Sequence, residues 1–401
     1  MYTLCDQAQP GCLLGKTLNN SVHDTLPAIL EMMNTALTRF RPLIPAGGVG
    51  SRLWPLSRAH APKFLLDLTD SGNSLLRDTY DRLAPLSNGS VMVVTGASHA
   101  NAVTQQLPEL RGTDMVLEPS PKDSAAAIGL ACAIIHAREP EAIIGSFAAD
   151  HVISPVEEFQ KVVTEAVITA ATGKVVTIGI TPTEPSTAFG YIRATKSLNI
   201  DEAPHALAVD SFVEKPDAET AASYLASGEY TWNAGMFVAP AALMLKHLEA
   251  NEPELYAGIM EIATAWDTPS REEVMERVWP TLPKTAIDYA VAEPAAAAGD
   301  VAMVPGSFSW DDVGDFDAVA RLNQEKSGEP MTILGDKTKI LNHGCSGIIV
   351  SQTQRTISVI GMDDIVVVDT EDALLVAPRS KAQQVKDAVG EVKARGLDNL
   401  L

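Results

Sequence analysis

From residue 42 onward the chain alternates short apolar, β-branched runs with stretches whose apolar residues recur at helical spacing. Strands are predicted at 42–46, 91–95, 115–118, 142–148, 174–179, 189–195, 207–213 and 234–239. Helices are predicted at 74–84, 98–107, 123–137, 156–172, 218–227, 240–249, 253–264 and 271–277. This alternation specifies an α/β sheet with helices on both faces, in which ligands sit beyond the carboxyl ends of the strands.

After about residue 330 the pattern changes to short strands alone. Thr356–Ile360, a turn at Gly361–Asp364 and Ile365–Val368 predict a small β domain, closed by a helix on which Val385, Ala388, Val389 and Val392 share a face. Few catalytic side-chain types fall there, so its expected role is scaffold or subunit contact. The other end differs again. The first thirty or so residues mix polar residues with Gly and Pro, without the basic-then-apolar order of a signal peptide. The expected division is therefore a poorly ordered extension over 1–40, with Met33 as an alternative start, an α/β domain over 41–330 and a small β domain with a C-terminal helix over 331–401.

Composition narrows the partners. A net charge of -21 over 401 residues repels nucleic acid and anionic membranes, while leaving room for a small anion wherever cations cluster. No apolar run approaches the roughly 20 residues that cross a bilayer. Cys5, Cys12, Cys132 and Cys345 are scattered without metal-ligand or redox spacing, which points to a reducing, cytoplasmic setting. Cys132 lies in an apolar helical run and is expected in the core.

One such cation cluster stands out. The predicted strand at 42–46 enters Gly47-Gly48-Val49-Gly50-Ser51-Arg52, followed by Arg58 and Lys63. Glycines let backbone N–H groups converge on an anion, and three cations then offer the neutralisation a polyphosphate needs. The spacing fits neither the dinucleotide fingerprint nor the P-loop, and a tight turn chosen for shape is the alternative. Phosphoryl chemistry also calls for Mg²⁺ on one or two carboxylates at strand ends. Asp150, after the apolar run 143–149, and Asp312, within the acidic Asp311–Asp315 cluster, suit that role; a turn residue and an exposed acidic loop are the alternatives. Glu214 and Lys215 end a strand, where neighbours face opposite ways and are expected to serve different partners. Asn233, between Trp232 and Gly235, suits recognition of hydroxyls. His151, His205 and His343 form no visible triad pattern.

These blocks, in this order, resemble the mannose-1-phosphate guanylyltransferases within the sugar-1-phosphate nucleotidyltransferase family. The resemblance runs from about residue 40 to 375. It rests on Gly47–Arg58, Ala149-Asp150-His151, Glu214-Lys215-Pro216, Trp232–Phe237, Ile287–Val291 and Asp312-Val313-Gly314. The segment Arg52-Leu53-Trp54-Pro55-Leu56-Ser57-Arg58 is similar to the mannose-directed branch. The resemblance implies a Rossmann-like nucleotidyltransferase domain with a mixed sheet and a C-terminal β domain like a truncated left-handed β-helix. It implies GTP and α-D-mannose 1-phosphate as substrates, GDP-mannose and diphosphate as products, Mg²⁺ as cofactor and a homodimer.

By the same resemblance Gly47, Gly48, Gly50, Ser51, Arg52 and Lys63 hold the triphosphate, Asp150 and Asp312 the metal, and Lys215 the sugar phosphate. Glu214, Asn233, Asp288 and Gly190 belong with the sugar, and Glu118, Lys122 and Asp123 with the nucleotide. Departures cluster at that last segment, where Lys122 stands for an arginine and Asp123 for an asparagine. A glutamine common after the lysine is missing between Lys63 and Phe64, and Ala188 replaces a glycine before Gly190.

Overall fold

The computed structural model describes residues 35–401, so most of the predicted extension, with Cys5, Cys12 and Met33, lies outside the described residues. The strands in chain order are β1 (Phe40–Ala46), β2 (Met92–Gly96), β3 (Met115–Glu118), β4 (Ile143–Ser146), β5 (Val152–Ser154), β6 (Val175–Ile180), β7 (Gly190–Ser197), β8 (Leu207–Val213), β9 (Tyr230–Pro240), β10 (Val301–Pro305) and β11 (Ser309–Asp311). Nine of them make one sheet in the order β3-β2-β1-β4-β9-β6-β10-β8-β7. β3, β2, β1 and β4 run parallel, and β9 is antiparallel to both β4 and β6, so the sheet is mixed.

Each predicted strand is present, but β10 was not anticipated. Its five residues are bracketed by Asp300 and Gly306, and only the slot between β6 and β8 makes them a strand. The helix Phe316–Ser327 was likewise not predicted; Asp315 caps it by accepting hydrogen bonds from the N–H groups of Asp317 and Ala318.

Helices cover both faces. The helix Ser124–Arg138 is buried from Ala125 to Ile135 and packs between the sheet and the helices Ala241–Asn251 and Pro253–Ala265, which explains why it is apolar all round. Cys132 lies in this core, where burial pushes its thiol pKa up. Leu75–Leu83 and Val156–Ala170 pack on the opposite face with Phe40, Phe147 and Phe159.

The last part of the chain coils. β12 (Met331–Gly335), β14 (Gly347–Ser351) and β16 (Ile365–Asp369) stack in parallel, while β13 (Ile340–His343) and β15 (Ile357–Ile360) pair in parallel as a second sheet. Successive strands thus alternate between two sheets, a β-helix-like arrangement, and β17 (Leu374–Pro378) closes it antiparallel to β16. One core joins this coil to the rest of the molecule. Ile348, Val350, Val366 and Val368 pack with Leu53 and Leu56 of the glycine-turn segment and with Val313 and Phe316. No helix among the described residues is long and apolar enough to cross a membrane.

Candidate active site

β1 delivers the chain into the glycine turn at the carboxyl end of the parallel strands. Gly47, Gly48 and Val49 are exposed, and a Cβ on Gly47 or Gly48 would meet nothing within 4 Å. The rim of the turn is therefore open to a ligand. Gly50 is constrained differently: at φ +77° its Cβ would lie 2.7 Å from the Cβ of Lys63, so only glycine lets the two segments touch. The Lys63 N–H donates to the Val49 carbonyl at 3.1 Å, and Ser57 Oγ donates to the Gly50 carbonyl at 2.6 Å.

The three cations of this segment have different fates. Arg52 is exposed, and its guanidinium has no hydrogen-bond or ion-pair partner among the described residues. Lys63 is buried and aims into the site. Arg58 does neither: it is 5 % exposed and turned toward the C-terminal coil, where it pairs with Asp372 at 2.7 Å. Packing thus removes Arg58 from the three cations expected to face a phosphate. The missing glutamine leaves Phe64 directly after Lys63, buried and edge-on to His99.

The two candidate metal carboxylates are distant in sequence and adjacent in space. β5 and β11 form an antiparallel ribbon with Val152 opposite Asp311, which leaves Asp150 and Asp312 together at one end. Lys63 Nζ lies 2.7 Å from Asp150 Oδ2 and also donates to the main-chain carbonyl of Asp312. Burial opposes charge on Asp150, but Lys63 outweighs it and holds the carboxyl below its ordinary range. Asp312 goes the other way, raised by burial and by Asp311 against the attraction of Lys63.

The rest of the acidic cluster is spoken for. Asp311 pairs with Arg321 and accepts the Val313 N–H at 2.7 Å, and Asp315 caps its helix. Val313 has φ +48°, a strained conformation for a β-branched residue, and is completely buried. That strain sits immediately beside Asp312.

Two carboxylates with no third His, Cys, Asp or Glu among the described residues form an oxygen-only donor set, which suits a hard ion such as Mg²⁺ completing its shell with water and phosphate. The Lys63 ammonium lies against the Asp150 carboxylate and the main-chain carbonyl of Asp312.

A second charged group lies around Gly190. β8 ends at Val213, and Lys215 takes φ +46°, so strand alternation stops before it. Glu214 and Lys215 consequently pair with each other at 2.6 Å instead of facing opposite ways, which corrects the expectation of separate partners. Burial works against the Lys215 charge, but Glu214 more than compensates and raises its pKa. Asn233 accepts from Thr177 Oγ1 at 2.9 Å and donates to Asp288 Oδ1 at 3.0 Å. Burial and the nearby Glu214 raise Asp288 to about 6.

Gly190 closes this group. A Cβ there would fall 2.4 Å from Glu214 Oε2, an oxygen that is buried without a hydrogen-bond partner among the described residues. Gly190→Ala is therefore expected to displace Glu214 and disturb its pair with Lys215, which thermal melting checks as a lower melting temperature than that of the parent protein. Ala188, by contrast, is exposed.

The segment 118–128 divides. Glu118 ends β3 half-buried, and burial raises it to about 7. Lys122 is buried and its ammonium donates to the carbonyls of Pro280 and Leu282, both at 2.6 Å. Asp123 is exposed and accepts the Ser124 N–H at 2.8 Å, capping the long helix.

Sequence reading missed the supports of these groups. Arg82 is buried with no carboxylate in contact; its guanidinium donates to Thr79 Oγ1 at 2.6 Å and to the His151 carbonyl at 2.9 Å. Thr79 Oγ1 in turn donates to the Ala149 carbonyl at 3.3 Å, so both residues flanking Asp150 are braced from below. A Thr-x-x-Arg pair one helical turn apart was the available signal, but nothing local says that it points at a strand end. His151, lowered to about 4 by burial, stacks edge-on to Trp310, which meets Phe189 and through it Trp232.

This geometry has counterparts. Residues 41–328 match the nucleotidyl transferase family, and residues 343–392 match the MannoseP isomerase/GMP-like β-helix domain. The chain belongs to the nucleotidyl transferase family. Among its relatives is the mannose-1-phosphate guanylyltransferase RfbM of Salmonella typhimurium, 38% identical over 360 residues, covering 88% of this chain and 72% of that protein. The mannose-1-phosphate guanylyltransferase of Escherichia coli is 36% identical over 366 residues, covering 90% of this chain and 75% of that protein. A crystal structure from Thermus thermophilus, described as a mannose-1-phosphate geranyltransferase, superposes with a TM-score of 0.77 at 28% identity. It covers 88% of this chain and 99% of its own. For a nucleotidyl transferase the division into two charged groups is informative, since two anionic substrates must be held at once.

Proposed function

We propose that this nucleotidyl transferase moves a guanylyl group from GTP to α-D-mannose 1-phosphate, giving GDP-mannose and diphosphate. The observation that carries the reading is the pair of charged groups: Lys63 with Asp150 and Asp312 beneath the glycine turn, and Lys215 with Glu214, Asn233 and Asp288 around Gly190. The names of the relatives supply the base and the sugar.

In this reading Gly47, Gly48, Gly50, Ser51 and Arg52 line the triphosphate, and Lys63 neutralises it. Lys215 holds the sugar phosphate, and Glu214 and Asn233 accept and donate hydrogen bonds to sugar hydroxyls. An oxygen of the sugar phosphate forms the new bond to the α-phosphorus while the bond to the β-phosphate oxygen breaks and diphosphate leaves. That oxygen is already anionic near neutral pH, so no side chain has to remove a proton. The work of the protein is to bring two anions into line and offset their repulsion. Asp150 and Asp312 would hold Mg²⁺, which supplies charge stabilisation at the transferring phosphoryl group. Incubating the protein with each of the four nucleoside triphosphates and several hexose 1-phosphates, and measuring diphosphate, tests the assignment. Preference for another base or sugar would overturn the named specificity.

Glu118 is assigned to the guanine edge, which offers N–H donors to an ionised carboxylate. Because burial holds this carboxyl near 7, GTP affinity is expected to rise with pH between about 6 and 8 and to flatten in Glu118→Gln. A raised carboxyl pKa favours folding below its ordinary value, and that contribution fades as pH climbs through 7. Glu118→Gln should therefore gain thermal stability at pH 8 relative to pH 4. Calorimetric GTP titration and melting across this range check both.

A homodimer is assigned to the coil. Leu341, Ile360 and Met362 are exposed along β13, β15 and the following turn, and Leu374 and Val376 along β17. A cytoplasmic location is supported by the unpaired, buried Cys132 and Cys345.

A further inference from the structure

The second half of the glycine-turn segment, Trp54 to Arg58, has no place in the site described above. Its contacts run elsewhere. Trp54 Nε1 donates to the Leu400 carbonyl at 2.6 Å, and the Arg58 guanidinium donates to that same carbonyl. Arg58 also pairs with Asp372 at 2.7 Å, donates through Nε to the Pro55 carbonyl at 2.7 Å, and lies 5.5 Å from the centre of the Trp54 ring.

Beneath these polar contacts Leu53 and Leu56 enter the core of the coil with Ile348, Val350, Val366 and Val368. Above them Ser57 holds the Gly50 carbonyl, and Arg58 and Ala61 exchange main-chain hydrogen bonds at 3.0 Å that fold the chain back toward Lys63. The strained, buried Val313, next in the chain to Asp312, belongs to the same core.

We infer that Trp54 and Arg58 are positioning residues that anchor the glycine turn to the C-terminal region, both of them through the helical turn Asp398–Leu400 that follows the helix Val385–Ala394 and Arg58 also through Asp372 of the coil, and that this region thereby sets the geometry of the nucleotide phosphates. The inference rests on the reading of residues 47–52 as the triphosphate site. A buried guanidinium that satisfies two carbonyls and a carboxylate is expensive to rearrange, so it fixes one arrangement of the loop. An arginine at this point does what a lysine could not, because its planar fork reaches the three acceptors at once. The coil is then more than scaffold or subunit contact: a shift of the loop it supports changes how a polyphosphate is held.

Three mild variants test this: Trp54→Phe, which keeps an aromatic ring and removes the donor; Arg58→Lys; and Asp372→Asn. Arg52→Ala serves as the reference for the triphosphate site itself. Steady-state KM values for GTP and mannose 1-phosphate, calorimetric binding of GTP, and thermal melting are measured on each. The expected result is a GTP KM and dissociation constant raised about five- to tenfold in Arg58→Lys and about threefold in the others, with the KM for mannose 1-phosphate within about twofold. If Arg52→Ala weakens GTP while Trp54→Phe, Arg58→Lys and Asp372→Asn leave it unchanged, the anchoring role is overturned. If the variants only lower the folded, active fraction with both KM values unchanged, the contacts are structural alone and the inference also fails. If Arg52→Ala itself binds GTP normally, the triphosphate reading falls instead.

Discussion

Asp312→Ala is expected to lower kcat by about a thousandfold, equivalent to about 4 kcal/mol of transition-state stabilisation, while the protein remains folded. The loss follows from its place near Asp150 at the end of the β5–β11 ribbon, where the pair would hold Mg²⁺ against the phosphates. The fold is spared for two reasons. Lys63 bonds the main-chain carbonyl of residue 312, which alanine retains. The carboxyl is also raised by burial, so its ionised form opposes folding more as pH rises. Thermal melting at pH 8 should be unchanged or higher than in the parent protein. A folded Asp312→Ala enzyme with normal kcat would remove this residue from the metal role.

Lys215→Met should raise the KM for mannose 1-phosphate about a hundredfold and leave GTP binding intact, because only the second charged group loses its cation. It has a side effect on stability. The Glu214 carboxylate is buried, one oxygen already lacks a partner, and the other would lose the Lys215 ammonium. An uncompensated buried charge is costly, so Lys215→Met is expected to melt at lower temperature. Adding Glu214→Gln removes that charge and should restore the melting temperature without restoring the KM. Recovery of both together would mean that Lys215 acts only by neutralising Glu214. The two readouts therefore separate the binding role from the structural one.

The strand-and-helix alternation was legible because it depends on local spacing of apolar residues, and each predicted strand of the α/β region is present. What escaped was set by neighbours. β10 is five residues long and becomes a strand only between β6 and β8. Glu214 and Lys215 looked like alternating strand positions, yet the positive φ of Lys215 brings their side chains together. Among the clustered cations, composition could not distinguish Lys63, which enters the site, from Arg58, which Asp372 and Leu400 hold in the opposite direction.

By itself the sequence determined the residue types that two charged groups require: a glycine turn, an aspartate after an apolar run and another in an acidic cluster, and a lysine beside a glutamate. Those follow from the chemistry of single side chains and from short spacings. Only the tertiary structure decided which of them meet. An antiparallel ribbon puts Asp312 beside Asp150, Lys63 bridges them, and a shared apolar core fixes the glycine turn to a coil at the far end of the chain. Contacts of that kind are chosen by the burial of surfaces distant in sequence, and no local pattern records them.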